Sequence, residues 1–556
     1  MPSFRLRLSV AITALLLVLI LSTTQFSHAQ RKTIDTYAIT NARIVPVAGA
    51  TIEKGTVVIR DGLIAAVGAN VSSPPDARII DGTGLTVYPG LIDSCTSLAL
   101  PEPSPAATVG GGGFFQQQAP RPNPNAPNST QPVGLQPEVM VDDLIKTGGN
   151  DIESARNAGF TTALTAPRTG IWMGQSALIN LAGETPQQMI VRSPVAMHVG
   201  FTPLRGTYPG SLMGVFASLR QMLLDAQRYR DSLALYDKAP RGTRRPEADK
   251  SLAALIPALD GKLPVVFHVD REREIERALD LADEFKLKAI IAGGRESARL
   301  SARLARENVP VLLSLNLPRR TTAALPEADP EPLRVLRERV EAQKTAGLLV
   351  KARVRLGFES GALTNVSDVF TNATREIENG LSAEDALRAF TIWPAEILGV
   401  ANQLGSIETG KIANLTVLRG DLFDRNSRVA HVFIDGRPID LRATPAATQP
   451  RANPSLSGTW SLSVNLGGNP VVSTMTLQQD GESLKGSLQG PLGTGEIANG
   501  SVSAGQVKFT AVVNVEGQTK EATFGGAPNG NEIRGTVTIE GRAPGSFTAT
   551  RSSQPN

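Results

Sequence analysis

The sequence predicts an α/β protein in which a parallel sheet is covered by helices and an antiparallel all-β domain follows. Strand and helix patterns alternate from residue 263 to residue 315, which is typical of strand–helix–strand units. Period-two alternation with turn residues fills residues 36–88 and 405–440, and it indicates β structure on both sides of that region. Short alternating segments punctuated by Gly, Asn and Asp fill residues 458–551, which favours an antiparallel barrel or sandwich.

The strand–helix units can be followed along the chain. The run LPVVFHV at 263–269 is typical of a buried strand, and Asp270 stands at the N-cap position of the next helix. That helix has one apolar face, and after it come a strand (288–292), a helix (296–308) and a strand (310–315). A (β/α)8 barrel is the leading closure for a region of this length, and a doubly wound open sheet is its rival. The sequence lacks a glycine-rich phosphate loop there, which weakens the rival.

The first thirty residues have the three-part pattern of a secretory signal. Arg5 and Arg7 form a basic start, an apolar stretch runs from Val10 to Leu21, and cleavage is predicted after Ala29. The apolar stretch is shorter than the ~20 residues that a membrane span needs. We therefore predict a bacterial protein that is periplasmic or secreted, with no stable membrane span after signal cleavage.

Charge and cysteine content exclude two classes of function. The chain has 56 Lys and Arg against 52 Asp and Glu, so it has no basic footprint for nucleic acid. The single Cys excludes an internal disulfide and a thiolate-rich metal site.

Five motifs within residues 36–440 carry a family resemblance. They are ITNARIVPVAGATIEKGTVVIRDGLIAAVG, IIDGTGLTVYPGLID, GFTTALTAP, ENGLSAEDALRAFTIWPAEILGV and LGSIETGKIANLTVLRGD. With them the chain resembles the amidohydrolase superfamily, in its imidazolonepropionase-like and prolidase-like secreted branch. The resemblance implies a (β/α)8 TIM-like barrel flanked by a β-sandwich to which both ends of this region contribute.

With that fold the chain divides into successive parts. They are a signal peptide (1–29), the amino-terminal part of the sandwich (30–88), the barrel (89–398) with a disordered insert rich in Pro, Gly, Gln and Asn (101–137), the carboxyl-terminal part of the sandwich (399–441), a linker (442–456) and a β-barrel-like domain (457–552).

The resemblance also implies where metal ligands would fall. Family enzymes usually hold one or two divalent metals at the carboxyl-terminal mouth of the barrel. The family positions fall on Cys95 and Ser97 (a His-x-His pair after strand one), His268 (after strand five), Gly293 or Gly294 (a His after strand six), and Glu359 or its neighbour Ser360 (an Asp after strand eight that relays a proton). One family imidazole of four is therefore retained.

Histidine is too scarce for the full family centre. The chain has four histidines, of which His28 lies in the predicted signal and His431 in a predicted sandwich strand. His198 and His268 remain for the barrel, and they cannot supply four imidazole ligands. We therefore expect no bound metal, with His268 as the best candidate ligand, although the resemblance allows zinc.

Cys95, His268 and Glu359 leave chemical alternatives open. Zinc accepts S, N and O ligands, so these three could hold one ion. Cys95 could instead be a nucleophile with His268 as its base, or a small buried apolar residue. Glu359 is the candidate catalytic residue, and an ion pair with Arg353 or Arg355 is its structural alternative.

The predicted pocket has further members with equally plain alternatives. His198 ends another apparent strand and could be a hydrogen-bonded, half-buried histidine, and Asp93 could brace the first barrel loop. The full predicted pocket is Asp93, Cys95, Ser97, His198, His268, Gly293 and Ser360.

Two classes of function follow from these residues. The resemblance implies an exported hydrolase of C–N bonds, other than peptide bonds, in small cyclic amides or acyl-amino compounds, whose metal-dependent activity is lost or altered. The missing ligands favour a pseudoenzyme, a barrel that binds a small molecule or a protein without catalysis. A surface-interaction role for the carboxyl-terminal domain is a third class.

Overall fold

The computed structural model describes most of the chain, in two compact units, Met1–Arg442 and Ala443–Asn556. The described residues are 36–101, 129, 131–204, 208–318, 332–361, 363, 365–441, 456–465, 471–480, 483–491, 493–503, 506–515, 518–529, 531–539 and 545–552. The predicted signal peptide, most of the predicted insert and nearly all of the predicted linker lie outside them. None of the helices within these ranges combines the length and the apolar character that crossing a membrane requires.

The first unit contains eighteen strands and eleven α-helices among its described residues. Its strands are β1 (Tyr37–Ile44), β2 (Ile52–Arg60), β3 (Leu63–Gly68), β4 (Arg78–Asp81), β5 (Leu85–Pro89), β6 (Leu91–Thr96), β7 (Phe160–Thr165), β8 (Trp172–Gln175), β9 (Ala177–Asn180), β10 (Ile190–Arg192), β11 (Met197–Gly200), β12 (Val265–Val269), β13 (Ala289–Gly293), β14 (Val311–Ser314), β15 (Leu356–Glu359), β16 (Leu415–Arg419), β17 (Arg428–Ile434) and β18 (Arg437–Ile439). Its helices are α1 (Asn150–Asn157), α2 (Pro186–Met189), α3 (Leu212–Lys238), α4 (Lys250–Leu259), α5 (Glu272–Phe285), α6 (Ser301–Arg306), α7 (Leu333–Ala342), α8 (Thr345–Lys351), α9 (Asp368–Glu378), α10 (Ala383–Phe390) and α11 (Ile392–Ile397).

Both ends of the first unit build one β-sheet. Its strand order is β18-β17-β16-β5-β1-β2-β3, and β4 pairs in parallel with β1. The pairing of β5 with β16 joins strands that lie on opposite sides of the barrel in sequence. Apolar side chains such as Ile39, Val87 and Phe433 are buried against this sheet. The predicted sandwich region is thus formed from both sides of the barrel.

The chain crosses the barrel wall eight times, and each crossing is called a passage here. The third passage, formed by β8 and β9, runs antiparallel to its neighbours. Strands β11 to β15 pair in parallel in chain order, as do β6 and β7. Strands β8 and β9 follow each other with only Ser176 between them. β8 pairs antiparallel with β11 and β9 pairs antiparallel with β7. The TIM-like barrel is confirmed, but one of its passages is reversed.

The helix after β12 begins one residue later than its capping pattern predicts. The N-cap of α5 is Arg271 rather than Asp270. The Asp270 carboxylate instead accepts a hydrogen bond from Arg295 at 2.8 Å, so it braces the loop after β13. The predicted helix at 296–308 is split into a 3-10 turn, Ser297–Leu300, and α6.

Residues 131–137 contact the barrel, although they belong to the segment predicted as a disordered insert. Leu135 is buried, forms a bridge with Trp172 and belongs to the core of the unit. The carbonyl oxygen of Pro137 accepts a hydrogen bond from the Gln175 side chain at 3.1 Å. This short segment therefore packs against the barrel at β8.

The second unit is a closed antiparallel β-barrel. Its strands are β19 (Gly458–Asn465), β20 (Val471–Asp480), β21 (Ser483–Gly490), β22 (Gly493–Ser503), β23 (Gln506–Val515), β24 (Gln518–Asn529), β25 (Glu532–Ile539) and β26 (Gly545–Arg551). Each pairs with the next, and β26 returns to β19. Trp460, Phe509, Phe524 and Phe547 are buried in its core. The alternating pattern of the sequence therefore corresponds to an inward-facing apolar set that fills the barrel.

Candidate functional site

Three donor side chains meet inside the first unit's barrel. They are Cys95 near the end of β6, His198 in β11 and His268 in β12, and their donor atoms all lie within 4.8 Å of one another. The Nδ1 atom of His198 lies 2.8 Å from Nε2 of His268. In the parallel register of β11 and β12, His198 lies opposite Val266. His268 is two residues further along, and it therefore faces the same side of the sheet as His198.

Two carboxyl groups lie beside these donors. Glu359, at the end of β15, lies close enough to the Cys95 thiol to raise its pKa. Asp93, in β6, accepts hydrogen bonds from the backbone amide of Ser360 at 3.0 Å and from its hydroxyl. These bonds link the first and last strands of the barrel.

The ion-pair alternative for Glu359 is wrong. Glu359 is buried, whereas Arg355 pairs with Glu396 at 3.3 Å. The Glu359 carboxyl thus belongs to the mouth of the barrel and not to a surface ion pair.

Burial keeps the charge of this cluster low. It raises the pKa of Glu359 to about 8, an effect reinforced by Asp93 and Asp270, and raises the pKa of Asp93 to about 6 despite its bonds from Ser360. Burial, with Glu359 and Asp93, also raises the pKa of the Cys95 thiol well above its usual value. The pKa of His268 is lowered to about 4, first by burial and then by Arg168. At neutral pH these groups therefore favour a thiol, neutral imidazoles and a protonated Glu359.

His198 is the most deeply buried of the donors. Burial, with His268 beside it, lowers the pKa of His198 well below its usual range. Its Nε2 atom has no hydrogen-bond partner among the described residues. A buried ring nitrogen without a partner is costly in a protein core.

A cavity of about 920 Å³ lies at the carboxyl-terminal mouth of the barrel. Ser97 and Ser360 line it, together with Arg168, Gln136, Leu98 and Trp172. Sites in this fold are built at the same end of the strands. Thr96 and Ser360, the chain neighbours of Cys95 and Glu359, also line the cavity, whereas the three donors do not. The cavity therefore gives a small molecule a place at the same end of the strands as the donors.

Arg168 connects the cavity to the cluster, and it is not among the site residues predicted from the sequence. It follows β7 and lowers the pKa of both His268 and Glu359 through its charge. A Cβ added at Gly361 would lie 2.6 Å from its guanidinium. The sequence feature that could have predicted Arg168 is its position directly after a barrel strand, in TAPRTG.

Most of the predicted pocket residues are brought together. Asp93, Cys95, His198, His268, Glu359 and Ser360 form one cluster, in which all but the partly exposed His268 are buried, and Ser97 lines the cavity. Gly293 ends β13 with φ of 88°, and a Cβ there would lie 2.8 Å from Oδ1 of Asp270. A histidine at Gly293 would require this loop to move, because L-residues seldom adopt such a φ.

The family model for the amidohydrolase family matches residues 150–439, which is more than half of the chain. The chain belongs to the amidohydrolase family. It is similar to an imidazolonepropionase of Symbiobacterium thermophilum, with 25% identity over 386 residues that cover 66% of this chain and 84% of that protein. It is also similar to the crystal structure of an amidohydrolase from Thermotoga maritima, with a TM-score of 0.60 and 26% identity over 72% of this chain and 99% of that one.

A shorter match concerns a further hydrolase. The chain is 37% identical over 75 residues to an N-substituted formamide deformylase of Arthrobacter pascens, which covers 12% of this chain and 14% of that protein. This match spans only a small part of either protein.

Amidohydrolases usually bind metal, and the donor set can be compared with that property. Ser97 and Gly293 or Gly294 offer no imidazole at the places where the resemblance implies two family histidines, so the residues do not fit the two-metal centre that the resemblance implies. One thiol and two imidazoles in a buried cluster are the kinds of ligand that a single zinc ion accepts. The residues therefore fit one cation and not two.

Proposed function

We propose that this chain is an exported hydrolase of C–N bonds, other than peptide bonds, in small cyclic amides or acyl-amino compounds. Its two-metal reaction is lost, and a single zinc ion takes its place. The observation that carries this proposal is the position of the Cys95, His198 and His268 cluster beside the 920 Å³ cavity at the barrel mouth.

The cavity lining supports a small substrate with polar and apolar parts. Arg168 and Gln136 contribute polar groups, whereas Leu98 and Trp172 contribute apolar surface. A cavity of this size holds a small organic molecule. The similar proteins, an imidazolonepropionase and an N-substituted formamide deformylase, support the same class of substrate.

The residues around the donors have distinct roles in this proposal. When bound by Cys95, His198 and His268, zinc would polarise a carbonyl oxygen or a water molecule. Glu359 holds a proton next to that position, because its pKa is raised to about 8. Asp93 fixes Ser360 at the edge of the cavity through two hydrogen bonds.

Turnover of lactams and acyl-amino compounds, with and without added zinc, tests the proposal. We expect zinc-dependent hydrolysis that falls by ~10²–10⁴-fold in Glu359→Gln, which keeps the shape but not the acid. Glu341→Gln, on the exposed end of α7, is the matched control and keeps full activity. Absence of turnover with every substrate, in protein loaded with zinc, would contradict hydrolysis.

A non-catalytic binding protein is the second candidate. The observation that favours it is that two of the three donors already pair with each other, Nδ1 of His198 lying 2.8 Å from Nε2 of His268. Calorimetric binding of a lactam or acyl-amino compound without any turnover would support this candidate over hydrolysis.

Export is part of the proposal and has its own measurement. The basic start, apolar stretch and small residues before Gln30 support a cleaved signal. Amino-terminal sequencing of protein from the periplasm or medium is expected to begin at Gln30. An amino terminus at Met1, or retention in the cytoplasm, would contradict export.

A further inference from the structure

We infer that Cys95, His198 and His268 form a thiolate-bearing site for one cation, which selects zinc or cobalt(II) over magnesium or manganese(II). The inference rests on the single-cation centre of the proposed function and adds to it the thiolate state of Cys95 and the resulting metal preference. It does not require that the protein turn over a substrate.

The spacing of the donor atoms is close to that of a metal site. Zn–S and Zn–N bonds of about 2.3 Å and 2.1 Å place tetrahedral ligand atoms roughly 3.3–3.7 Å apart. The three donor atoms lie within 4.8 Å of one another, and the two ring nitrogens lie 2.8 Å apart. Small shifts of the Cys95 side chain and of the two rings would bring the donor atoms from these spacings to that geometry.

The histidine pair is poorly satisfied without a further partner. Only one of its two facing nitrogens can donate in the 2.8 Å contact, and Nε2 of His198 has no partner among the described residues. His198 is fully buried, so this nitrogen cannot reach water from the surface. A cation bound by one ring nitrogen of each histidine would replace this single hydrogen bond with two metal–nitrogen bonds.

The sulfur ligand decides which cations are selected. Thiolate and imidazole favour zinc and cobalt, whereas magnesium and manganese favour oxygen ligands. On binding, the S–H bond of Cys95 breaks, a bond from sulfur to the cation forms, and the proton leaves to solvent. Glu359 lies near enough to act on the Cys95 sulfur, so its carboxyl would remain close to a cation held there.

The residues at the other family ligand positions limit the number of bound cations to one per chain. Gly293 offers no side chain, and Ser97 offers a hydroxyl that lines the cavity. A second cation held by protein ligands would need donors at these places. We therefore expect one equivalent of cation per chain.

Titration of the metal-free protein with cobalt(II) tests the inference. We expect a thiolate-to-cobalt charge-transfer absorption that saturates at one equivalent, disappears on adding zinc, and is unaffected by excess magnesium. Cys95→Ser should abolish this absorption, and His268→Ala should weaken cobalt binding at least tenfold. His431→Ala, at a half-buried histidine of β17 outside the cluster, is the matched control and keeps both.

A measurement on the unmodified protein guards against variants that fail to fold. The cadmium-113 resonance of protein loaded with one equivalent of cadmium reports directly whether sulfur is a ligand. Circular dichroism of each metal-free variant establishes that it is folded. A cadmium resonance typical of nitrogen and oxygen ligands alone would overturn the inference.

Other outcomes separate this inference from the proposed function. Failure to bind cobalt, binding of two equivalents, or an absorption that survives in folded Cys95→Ser overturns the cation site. Cobalt and zinc bound as expected, without hydrolysis of any substrate, overturns hydrolysis alone. Zinc-dependent hydrolysis without any thiolate signal overturns Cys95 as a ligand, both here and in the proposed function, and leaves hydrolysis itself supported.

Discussion

Ser360 and Asp93 form a buried pair that fastens the last barrel strand to the first. Ser360→Ala removes the hydroxyl that donates to one carboxylate oxygen, while the backbone bond of 3.0 Å remains. An unsatisfied buried acceptor costs ~1–3 kcal/mol. We expect urea titrations to show a loss of this size in the free energy of unfolding. Ser154→Ala, at an exposed serine of α1, is the control and should change the free energy of unfolding by less than ~0.5 kcal/mol. Equal losses in the two variants would contradict a stabilising role for the pair of Ser360 and Asp93.

Glu376 is expected to make stability depend on pH. Burial raises its pKa to about 8, and the hydrogen bond from the Ala346 amide offsets only part of the shift. An unfolded glutamate titrates near ~4.3, so the folded state binds the extra proton between these values. Stability is therefore highest below the unfolded pKa and falls as pH rises through the folded pKa.

Glu376→Gln tests this dependence. The amide keeps an acceptor for Ala346 and removes the charge, so the loss of stability between about pH 5 and pH 8 should shrink by up to ~4 kcal/mol, at 1.36 kcal/mol per unit. Urea unfolding at both pH values measures it. Glu378→Gln, at an exposed position two residues on, should leave the slope unchanged. An unchanged slope in Glu376→Gln would count against a titrating Glu376.

At the scale of residues, strand ends were the informative signal in the sequence. Cys95, His268 and Glu359 were found because each ends a strand-like run in a barrel pattern. The contact between His198 and His268 was not predicted, because the register of β11 against β12 is set by tertiary pairing. Arg168 was missed because its loop carries no periodic pattern.

Gly357 allows β15 to lie against β6 at the scale of elements. A Cβ on Gly357 would overlap the Ser94 hydroxyl and lie 3.0 Å from the Ser94 Cβ. Gly357→Ala is therefore expected to cost ~1–3 kcal/mol through overpacking, measured by urea unfolding. Gly242→Ala, where nothing lies within 4 Å of the added carbon, is the control and should be nearly neutral. If both substitutions have the same effect, the close approach of β15 and β6 is not limiting.

Periodicity predicted the regular elements well and their directions less well. The predicted helix after β12 and the strands on either side of it agree with α5, β12 and β13 within about two residues, a usual margin for such boundaries. The reversal of β8 and β9 could not be read from the sequence. Alternation indicates a strand, whereas its direction depends on which neighbours it pairs with.

At the scale of the whole molecule, each of the two units has its own core. The three tryptophans of the chain are Trp172 and Trp393 in the first unit and Trp460 in the second. In protein carrying Trp172→Phe and Trp393→Phe, fluorescence therefore reports the second unit. Phe524→Ala removes a buried ring that stacks on Phe509 at 4.9 Å, which should cost ~3–5 kcal/mol.

The matched control is Val512→Ala, at an exposed position of β23. We expect Phe524→Ala to lower the urea midpoint of the Trp460 signal and Val512→Ala to leave it nearly unchanged. Phe390→Ala, which creates a cavity in the core of the first unit, should leave the urea midpoint of the Trp460 fluorescence unchanged. A shift of the Trp460 midpoint in Phe390→Ala would contradict separate unfolding of the two units.

The overall architecture was predicted from two different kinds of evidence. Strand–helix alternation indicated the barrel, and the short alternating segments indicated the second β-barrel. The joining of β5 to β16 is a contact between distant parts of the chain, and it was expected only through the family resemblance. Local patterns fix what each segment is, but long-range partners come from packing.

The reversed third passage has a consequence for the order of folding. Parallel neighbours need long crossovers, whereas residues 160–200 complete three consecutive passages as a local meander. Contacts between residues close in sequence form faster, since less loop entropy is lost in making them. In pulse-labelled hydrogen exchange, amides of β7 and β9 should gain protection before those of β13 and β14, and simultaneous protection would argue against this route. Residues 160–200 would thus form the folding nucleus, and the remaining barrel strands, which are distant from one another in sequence, would pair onto it.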